Sequence, residues 1–179
     1  MLTRLHCIAL IVAAATIEQA IGSKAMYERF EQFFGEEYIE LDLRVRKYNR
    51  TMMTLNGTIY VKQDLNDSLV FSSDVFHSRL GNQQFQHYPM HLPTSGFCEF
   101  IKNVHESYAT VIADIVNIPM TDDCPVSQRN MLVQDEEFKT EVLPESMAYG
   151  LWKMVISGVL NEETVIRFMV SIRLSDNYM

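Results

Sequence analysis

The hydrophobic pattern of the first half of the chain has a two-residue period. Apolar and charged residues alternate strictly over residues 39–46, and the alternation resumes over residues 52–62 after the turn sequence Tyr48-Asn49-Arg50. Strict alternation is typical of half-buried antiparallel strands, so the two runs predict a β-hairpin. Further strands are predicted over residues 68–77, 83–90 and 128–138.

The last part of the chain carries the clearest alternation. Apolar residues take every second position over residues 152–156 and again over residues 166–174, and the polar turn Asn161-Glu162-Glu163 separates the two runs. This pattern predicts a long hairpin with one wholly apolar face. A sheet with such a face must be covered by another layer.

The period changes after residue 96. Apolar residues then recur at spacings of three and four, which predicts an amphipathic helix over residues 95–114 with Thr94 or Ser95 as its N-cap. The β-branched run Thr110-Val111-Ile112 weakens helix propensity and favours a bend or an extended second half.

These elements together indicate the fold class. Roughly six to eight strands and a single helix predict a mainly β fold, an antiparallel β-sandwich or cup with one amphipathic helix. The sequence has no internal repeat, low-complexity stretch or linker, so a single domain over residues 23–179 is the economical organisation.

Residues 1–22 have the features of a secretory signal peptide. Arg4 supplies a positive start, and residues 5–17 form an apolar segment that is too short to span a bilayer. Ala20 and Gly22 stand at the small-residue positions that signal peptidase requires. The mature chain is therefore predicted to begin near residue 23 and to be secreted, without a membrane span; the alternative is an uncleaved membrane anchor.

The cysteines agree with an oxidising compartment. Cys7 belongs to the predicted signal peptide, and the remaining Cys98 and Cys124 are most simply one disulfide, with two buried free thiols as the alternative. Closing this loop would stabilise the fold by roughly 3 to 4 kcal/mol. Three N-x-S/T sequons lie close together and predict glycosylation at Asn49, Asn56 and Asn66.

The charge of the chain argues against nucleic acid as a partner. The formal net charge is −8, from 15 Lys and Arg against 23 Asp and Glu, and no basic cluster is present to offset repulsion from phosphates.

Motifs for catalysis or metal binding are weak. His87 and His91 have a metal-like spacing, but Pro89 between them prevents the helix that would bring both rings to one face. The acidic run Asp135-Glu136-Glu137 could supply an acid and base pair, yet three adjacent acids are more typical of a solvated turn. The sequence has neither a nucleophile elbow nor a phosphate-binding glycine loop. We therefore expect no enzyme activity, no metal and no cofactor.

Flexible and aromatic side chains are abundant. The chain holds 11 Met, 10 Phe, 8 Tyr and 1 Trp, and methionine lines surfaces that adapt to irregular apolar ligands. The same residues could equally fill a packed core. Periodicity does not separate a filled sandwich from a hollow one.

A set of short motifs stands in order along the chain. These are Leu55-Asn56-Gly57-Thr58, Phe97-Cys98-Glu99-Phe100-Ile101-Lys102, Asn117-Ile118-Pro119, Cys124-Pro125, Leu143-Pro144 and Gly150-Leu151-Trp152. Together they resemble the secreted insect proteins called chemosensory proteins A and B, distant relatives of the ML lipid-recognition domain and of the ganglioside-activator protein. The similarity covers residues 38–174, and Tyr88-Pro89-Met90 favours the A branch.

The resemblance implies a β-cup that holds an apolar ligand between its sheets. It also implies secretion into the fluid around taste hairs, a role in detecting contact pheromones such as cuticular hydrocarbons or other lipids, and a disulfide between Cys98 and Cys124. Many ML-type domains carry several disulfides, so a single one here implies a looser cup or a less deeply enclosed ligand.

The first functional hypothesis is a secreted, glycosylated, non-enzymatic binding protein for a small apolar ligand in chemosensory, gustatory or pheromone perception. Its protein partner would be a chemoreceptor or channel. Alternation onto the apolar faces of the last hairpin predicts one wall of the ligand site, namely Trp152, Met154, Ile156, Phe168, Val170 and Ile172. The opposite wall is predicted to consist of Leu41, Leu43, Phe100, Val104 and Tyr108.

Two alternatives remain at the sequence level. One is a protein-interaction module with a packed core and no internal ligand, which an exposed apolar patch would favour. The other is a secreted hydrolase or lipid-modifying enzyme, which would require His77, His91 and an acid to cluster around a serine in the folded chain.

Overall fold

The computed structural model describes residues 23–176, in which ten strands form two antiparallel sheets. The strands are β1 (Ser23–Phe34), β2 (Ile39–Lys47), β3 (Met53–Val61), β4 (Val70–Ser78), β5 (Gln86–Tyr88), β6 (Ser95–Gly96), β7 (Ile115–Val116), β8 (Arg129–Glu137), β9 (Gly150–Leu160) and β10 (Glu163–Asp176). The helical segments are α1 (Phe97–Ser107), α2 (Ala109–Ile112) and a 3-10 turn at Thr140–Val142. The predicted mainly β sandwich is confirmed.

The six-stranded sheet is centred on the predicted C-terminal hairpin. Its order is β1-β10-β9-β4-β5, and β6 also pairs with β4. The turn between β9 and β10 places Asn161 and Glu162 at positive φ angles of 51° and 69°. Two such residues match the twist of the flanking strands, which explains why the hairpin closes so tightly.

The four-stranded sheet has the order β2-β3-β8-β7 and contains the predicted hairpin of β2 and β3. In the middle of β3, Gly57 has a φ of +143°, and a Cβ atom there would lie 1.9 Å from the carbonyl oxygen of Asp42. Only glycine fits this position. Beside it, β8 is bulged, because its register passes from Val133 opposite Gly57 to Glu136 opposite Leu55.

Side chains from both sheets form two apolar clusters. The first cluster is built on Ile39, Val61, Leu65, Leu69, Phe71, Phe97, Ile101, Val126, Met131, Ile156 and Ile166. The second cluster is built on Ala25, Tyr27, Val75, Trp152, Ile172 and Leu174. Met154 packs against both clusters and so joins them into one core.

The observed helix is shorter than the predicted one, which covered residues 95–114. It begins at Phe97, stops at Tyr108, whose φ and ψ are −131° and 30°, and resumes only as the four-residue α2. The interruption thus precedes the β-branched run Thr110-Val111-Ile112, which is itself helical in α2 and not extended. The N-cap is Gly96, not Thr94 or Ser95, and the carboxylate of Asp67 accepts hydrogen bonds from the first turn instead.

The disulfide between Cys98 and Cys124 is present, with a Cα–Cα distance of 5.9 Å, and it ties the start of α1 to a distant loop. The pairing prediction is thus confirmed. The predicted signal peptide, residues 1–22, lies outside the described residues. Within residues 23–176, no helix combines the length and the apolar character that crossing a membrane requires.

Strand β1 has no counterpart among the predicted elements. It pairs with β10, but its register shifts twice, once after Tyr27 and once after Gln32. Each shift interrupts the two-residue period, so the inward Ala25 and Tyr27 and the later Phe30 do not fall on one alternating pattern.

Candidate functional site

The six residues predicted on the last hairpin all belong to the two clusters between the sheets. Ile156 and Phe168 pack in the first cluster, and Trp152, Val170 and Ile172 pack in the second. Met154 lies where the clusters meet. These side chains therefore share one apolar face of β9 and β10, as the alternation predicted.

The five residues predicted for the opposite wall do not form one surface. Leu41 on β2 and Phe100 on α1 pack against the first cluster. Val104 and Tyr108 lie further along the helical segment, with Phe100, on the rim of a surface crevice. Leu43 on β2 pairs with Gly57 on β3. Among residues 23–176, Leu43 belongs to neither cluster.

The crevice is bounded by one face of α1 and by the chain segment before β6. Its volume is about 100 Å³, and it is lined by Leu92, Pro93, Phe100, Asn103, Val104, Ser107 and Tyr108. An indentation beside it shares Leu92, Pro93 and Phe100 and reaches Phe71 and Ile156 of the first cluster. The crevice therefore lies directly above the core between the sheets.

The segment that covers this part of the core is held by a polar anchor. The backbone N–H of Leu92 donates to the hydroxyl of Ser73 on β4 at 2.7 Å. Pro93 follows at once and has no N–H to donate. Few hydrogen bonds would have to break for this segment to move away from α1.

Trp152 occupies the other end of the core. The His77 ring stacks on it with a centroid distance of 4.1 Å, and Tyr88 meets it edge-on at 4.9 Å. The indole N–H donates to the carbonyl oxygen of Ala148 at 2.8 Å. Trp152 is the single tryptophan of the chain, so tryptophan fluorescence reports on the second cluster alone.

The histidines are directed to separate partners. His77 Nε2 donates to the carbonyl oxygen of Tyr149 at 3.0 Å, and His91 Nδ1 lies 3.1 Å from the carbonyl oxygen of Leu92. His87 Nε2 is 3.3 Å from a carboxylate oxygen of Asp74. The metal-like spacing of His87 and His91 therefore does not bring their rings to one site.

The acidic run Asp135-Glu136-Glu137 is not the solvated turn that its composition suggested. It ends β8, and Glu136 is only 3 % exposed. The bulge places Asp135 outside, where it accepts hydrogen bonds from Arg46 at 2.8 and 3.1 Å and from Asn56 at 2.9 Å. These hydrogen bonds, that of Arg46 foremost, hold the pKa of Asp135 below its ordinary value.

Glu136 is a buried acid without hydrogen bonds. Both carboxylate oxygens lack a partner among the described residues, and the nearest cation, Nζ of Lys139, is 3.8 Å away and also 3.6 Å from Asp114. Burial raises the pKa of Glu136 to about 7, and burial together with the Glu136 charge raises the pKa of Tyr27. The sequence does not predict a buried acid here, because no residue pattern in it indicates the bulge in β8.

Comparison with known proteins adds no assignment. Neither the models of known protein families nor the curated proteins match this sequence.

Proposed function

We propose that this chain is a secreted, non-enzymatic binding protein for a small apolar ligand, a lipid or hydrocarbon. The observation that carries the proposal is the methionine-containing core between the sheets, with a surface crevice of about 100 Å³ above it. Residues predicted independently on two elements, Phe100 on α1 and Ile156 on β9, meet beneath that crevice. The ligand would enter there and take up space between the sheets.

The core contains an unusual share of methionine. The methionines that belong to or pack against the two clusters are Met53, Met90, Met131, Met147 and Met154. A methionine side chain is unbranched and has three rotatable bonds, so it can repack around irregular apolar shapes. Such a lining would admit a chain-like ligand at a lower cost than a core of β-branched residues.

The biological setting follows from the resemblance to the chemosensory proteins A and B. We infer that the protein acts in the extracellular fluid of taste sensilla, where it presents a contact pheromone or cuticular hydrocarbon to a chemoreceptor or channel. The predicted signal peptide, the disulfide and the three sequons support this setting.

Native mass spectrometry tests the proposal. The full chain is secreted from insect cells, deglycosylated, and measured before and after solvent extraction and against a panel of cuticular hydrocarbons and fatty acids. We expect discrete, extractable mass increments of lipid size. In the protein labelled with ¹³C-methyl methionine, the methyl signal of Met154 should move with ligand.

A variant at the crevice localises the uptake. Val104→Phe fills part of the crevice and should lower the affinity for ligand about ten-fold, which corresponds to about 1.4 kcal/mol. Lys102→Phe, at an exposed position on the same helix, is the matched control and should load normally. An apo mass in every condition, from a protein whose fold survives extraction, would contradict the carrier.

The alternative, a protein-interaction module, has an observation of its own. Val116 and Leu132 are paired across β7 and β8 and are 55 % and 38 % exposed, and Met120 nearby in the chain is 59 % exposed. Exposed apolar neighbours of this kind are typical of protein-binding surfaces. An apo mass throughout would favour this reading.

A further inference from the structure

A second candidate site, with an apolar floor and a largely polar rim, lies on the outer face of the six-stranded sheet, the face that does not pack on the four-stranded one. There a cleft of about 440 Å³ falls within the range of small-molecule sites. It is lined by Glu28, Arg29, Glu31, Phe33, Gln83, Phe85, Leu151, Lys153, Val155, Met169 and Ser171. None of these residues belongs to the two core clusters.

The floor of the cleft is apolar and its walls are aromatic. Leu151, Val155 and Met169 project from β9 and β10 and are 3 %, 9 % and 6 % exposed. Phe33 on β1 forms one wall, and Phe85, in the loop before β5, forms the other. Because these three residues are already shielded from water, the exposed apolar surface that a ligand would meet is chiefly that of Phe33, which is 48 % exposed.

The loop that carries Phe85 is fixed against the sheet. The N–H of Gly81 donates to the carbonyl oxygen of Ser78 at 3.1 Å, and the N–H of Gln84 donates to the side chain of Asn82 at 3.0 Å. A Cβ atom on Gly81 would lie 2.6 Å from the guanidinium of Arg173. These contacts shape the turn that leaves β4 and leads to Phe85.

The charges around the cleft are paired with one exception. Arg173 makes two hydrogen bonds of 3.1 Å to Glu28, and Arg29 pairs with Glu31 at 2.9 Å. Lys153 has no carboxylate within salt-bridge distance in the part of the chain that the structure describes. Its ammonium instead lies 4.3 Å from the ring centre of Phe85 and 4.7 Å from that of Phe76.

The unpaired ammonium of Lys153, beside the aromatic walls of the cleft, suits an amphiphile that has one anionic end. We propose that this cleft binds a single-chain fatty acid, with its carboxylate on Lys153 and its alkyl chain between Phe33 and Phe85, above the floor of Leu151, Val155 and Met169. The proposal does not depend on the site between the sheets. It assigns one lipid class, the long-chain carboxylate, to a site that holds an unpaired cation.

The test uses dodecanoate and its uncharged analogue dodecanol, titrated by calorimetry into the full secreted chain. Lys153→Met keeps the stem and removes the charge, and it should weaken dodecanoate binding about ten-fold to a hundred-fold, as expected for a charged hydrogen bond. Dodecanol binding should change less than about three-fold, since it lacks the charge that Lys153 recognises. Lys153→Arg should retain most of the dodecanoate affinity.

A matched control and a positional readout complete the experiment. Lys62 also places its ammonium over an aromatic ring, 4.7 Å from the centre of Tyr60, but on the four-stranded sheet; Lys62→Met should bind dodecanoate like the wild type. The methyl signal of Met169 should move on binding, whereas movement of Met154 would report the site between the sheets. Failure of one site is thus distinguishable from failure of the other.

Four results would overturn the proposal. The first is a wild-type protein that does not bind dodecanoate. The second is a Lys153→Met variant that binds it unchanged, and the third is a Lys62→Met variant that loses binding equally. The fourth is a dimer in light scattering that Phe33→Asp converts to monomer, because the cleft would then be covered by a second copy of the chain.

Discussion

Glu136 owes its position to the backbone around it. Continuing the inward alternation of Met131 and Val133 would point Asp135 into the sandwich, but the bulge turns Asp135 out to Arg46 and Glu136 in. One acid thereby gains a cationic partner while its neighbour loses contact with water. Two adjacent carboxylates of similar chemistry, Asp135 and Glu136, therefore have pKa values shifted in opposite directions.

The buried carboxyl should make stability depend on pH. Because the folded-state pKa of Glu136 is about 7, above the ordinary 4.5, the folded protein holds a proton that the unfolded chain releases between these values. The stabilisation that comes from the protonated Glu136 carboxyl is therefore complete below about pH 4.5, and it is lost as the pH rises through 7. Lys139, Asp114 and Tyr27 are the titratable groups around it.

Glu136→Gln should remove this loss. We expect the variant to match the wild type near pH 4.5 and to exceed it at pH 8 by at most about 3 kcal/mol in free energy of unfolding. Denaturant unfolding at the two pH values measures the difference. Glu137→Gln, one residue further along β8, serves as the control, and an equal gain for both variants at pH 8 would contradict the assignment to Glu136.

At the scale of elements, helix α1 depends on a residue that is distant in sequence. The Asp67 carboxylate accepts hydrogen bonds from the N–H groups of Cys98 and Glu99 at 2.9 and 3.2 Å. The same turn carries the disulfide to Cys124. A tertiary contact thus supplies the cap that a local Thr94 or Ser95 was expected to supply.

Asp67→Ala should destabilise the protein by about 1 kcal/mol, the usual loss for a helix cap. Thr94→Ala, at the exposed position that local rules favour, should leave the free energy of unfolding unchanged within about 0.5 kcal/mol. Chemical denaturation of both variants with the disulfide intact makes the comparison. Equal losses would mean that the Asp67 hydrogen bonds add nothing to the helix.

At the scale of the whole molecule, the side chain of Gln32 links the two sheets at the edge where β1 leads into β2. Gln32 on β1 donates to the carbonyl oxygen of Ile39 at 2.7 Å and accepts from the N–H of Leu41, also at 2.7 Å. Both partners belong to β2 of the other sheet. The amide continues hydrogen bonding from one sheet to the other where the strands themselves do not pair.

The three sequons have different surroundings in the folded chain. Asn49 and Asn66 are exposed in turns, where their side-chain oxygens accept the N–H of Thr51 and of Ser68, both at 2.9 Å. Asn56 is half-buried in β3, between two paired strands, and its amide donates to Asp135. A glycan at Asn56 would disturb the polar cluster that holds the bulge.

We therefore expect two glycans, on Asn49 and Asn66, when the chain is secreted from insect cells. Asn49→Gln and Asn66→Gln should each remove one glycan mass, and Asn56→Gln should remove none. Intact mass before and after enzymatic deglycosylation gives the count. Loss of a glycan mass from Asn56→Gln would show that this strand position is accessible to the transferase before it folds.

The sequence by itself determined the layer structure, because two-residue and helical periods reflect which side of an element meets water. It located the β2–β3 and β9–β10 hairpins, the inward face with Trp152 and Ile156, and the cysteine pair. The hairpins and the inward face depend on residues that are close together in the chain, and the disulfide needs only one partner for each cysteine.

The tertiary structure alone decided the rest. The bulges in β1 and β8, the inward Glu136, the Asp67 cap and the outer cleft with Lys153 each arise from residues that are far apart in sequence. Local pattern records the average environment of a strand face, whereas one inserted residue or one overlying loop changes that environment at a single position. The buried acid and the second candidate ligand site of this protein lie at those positions.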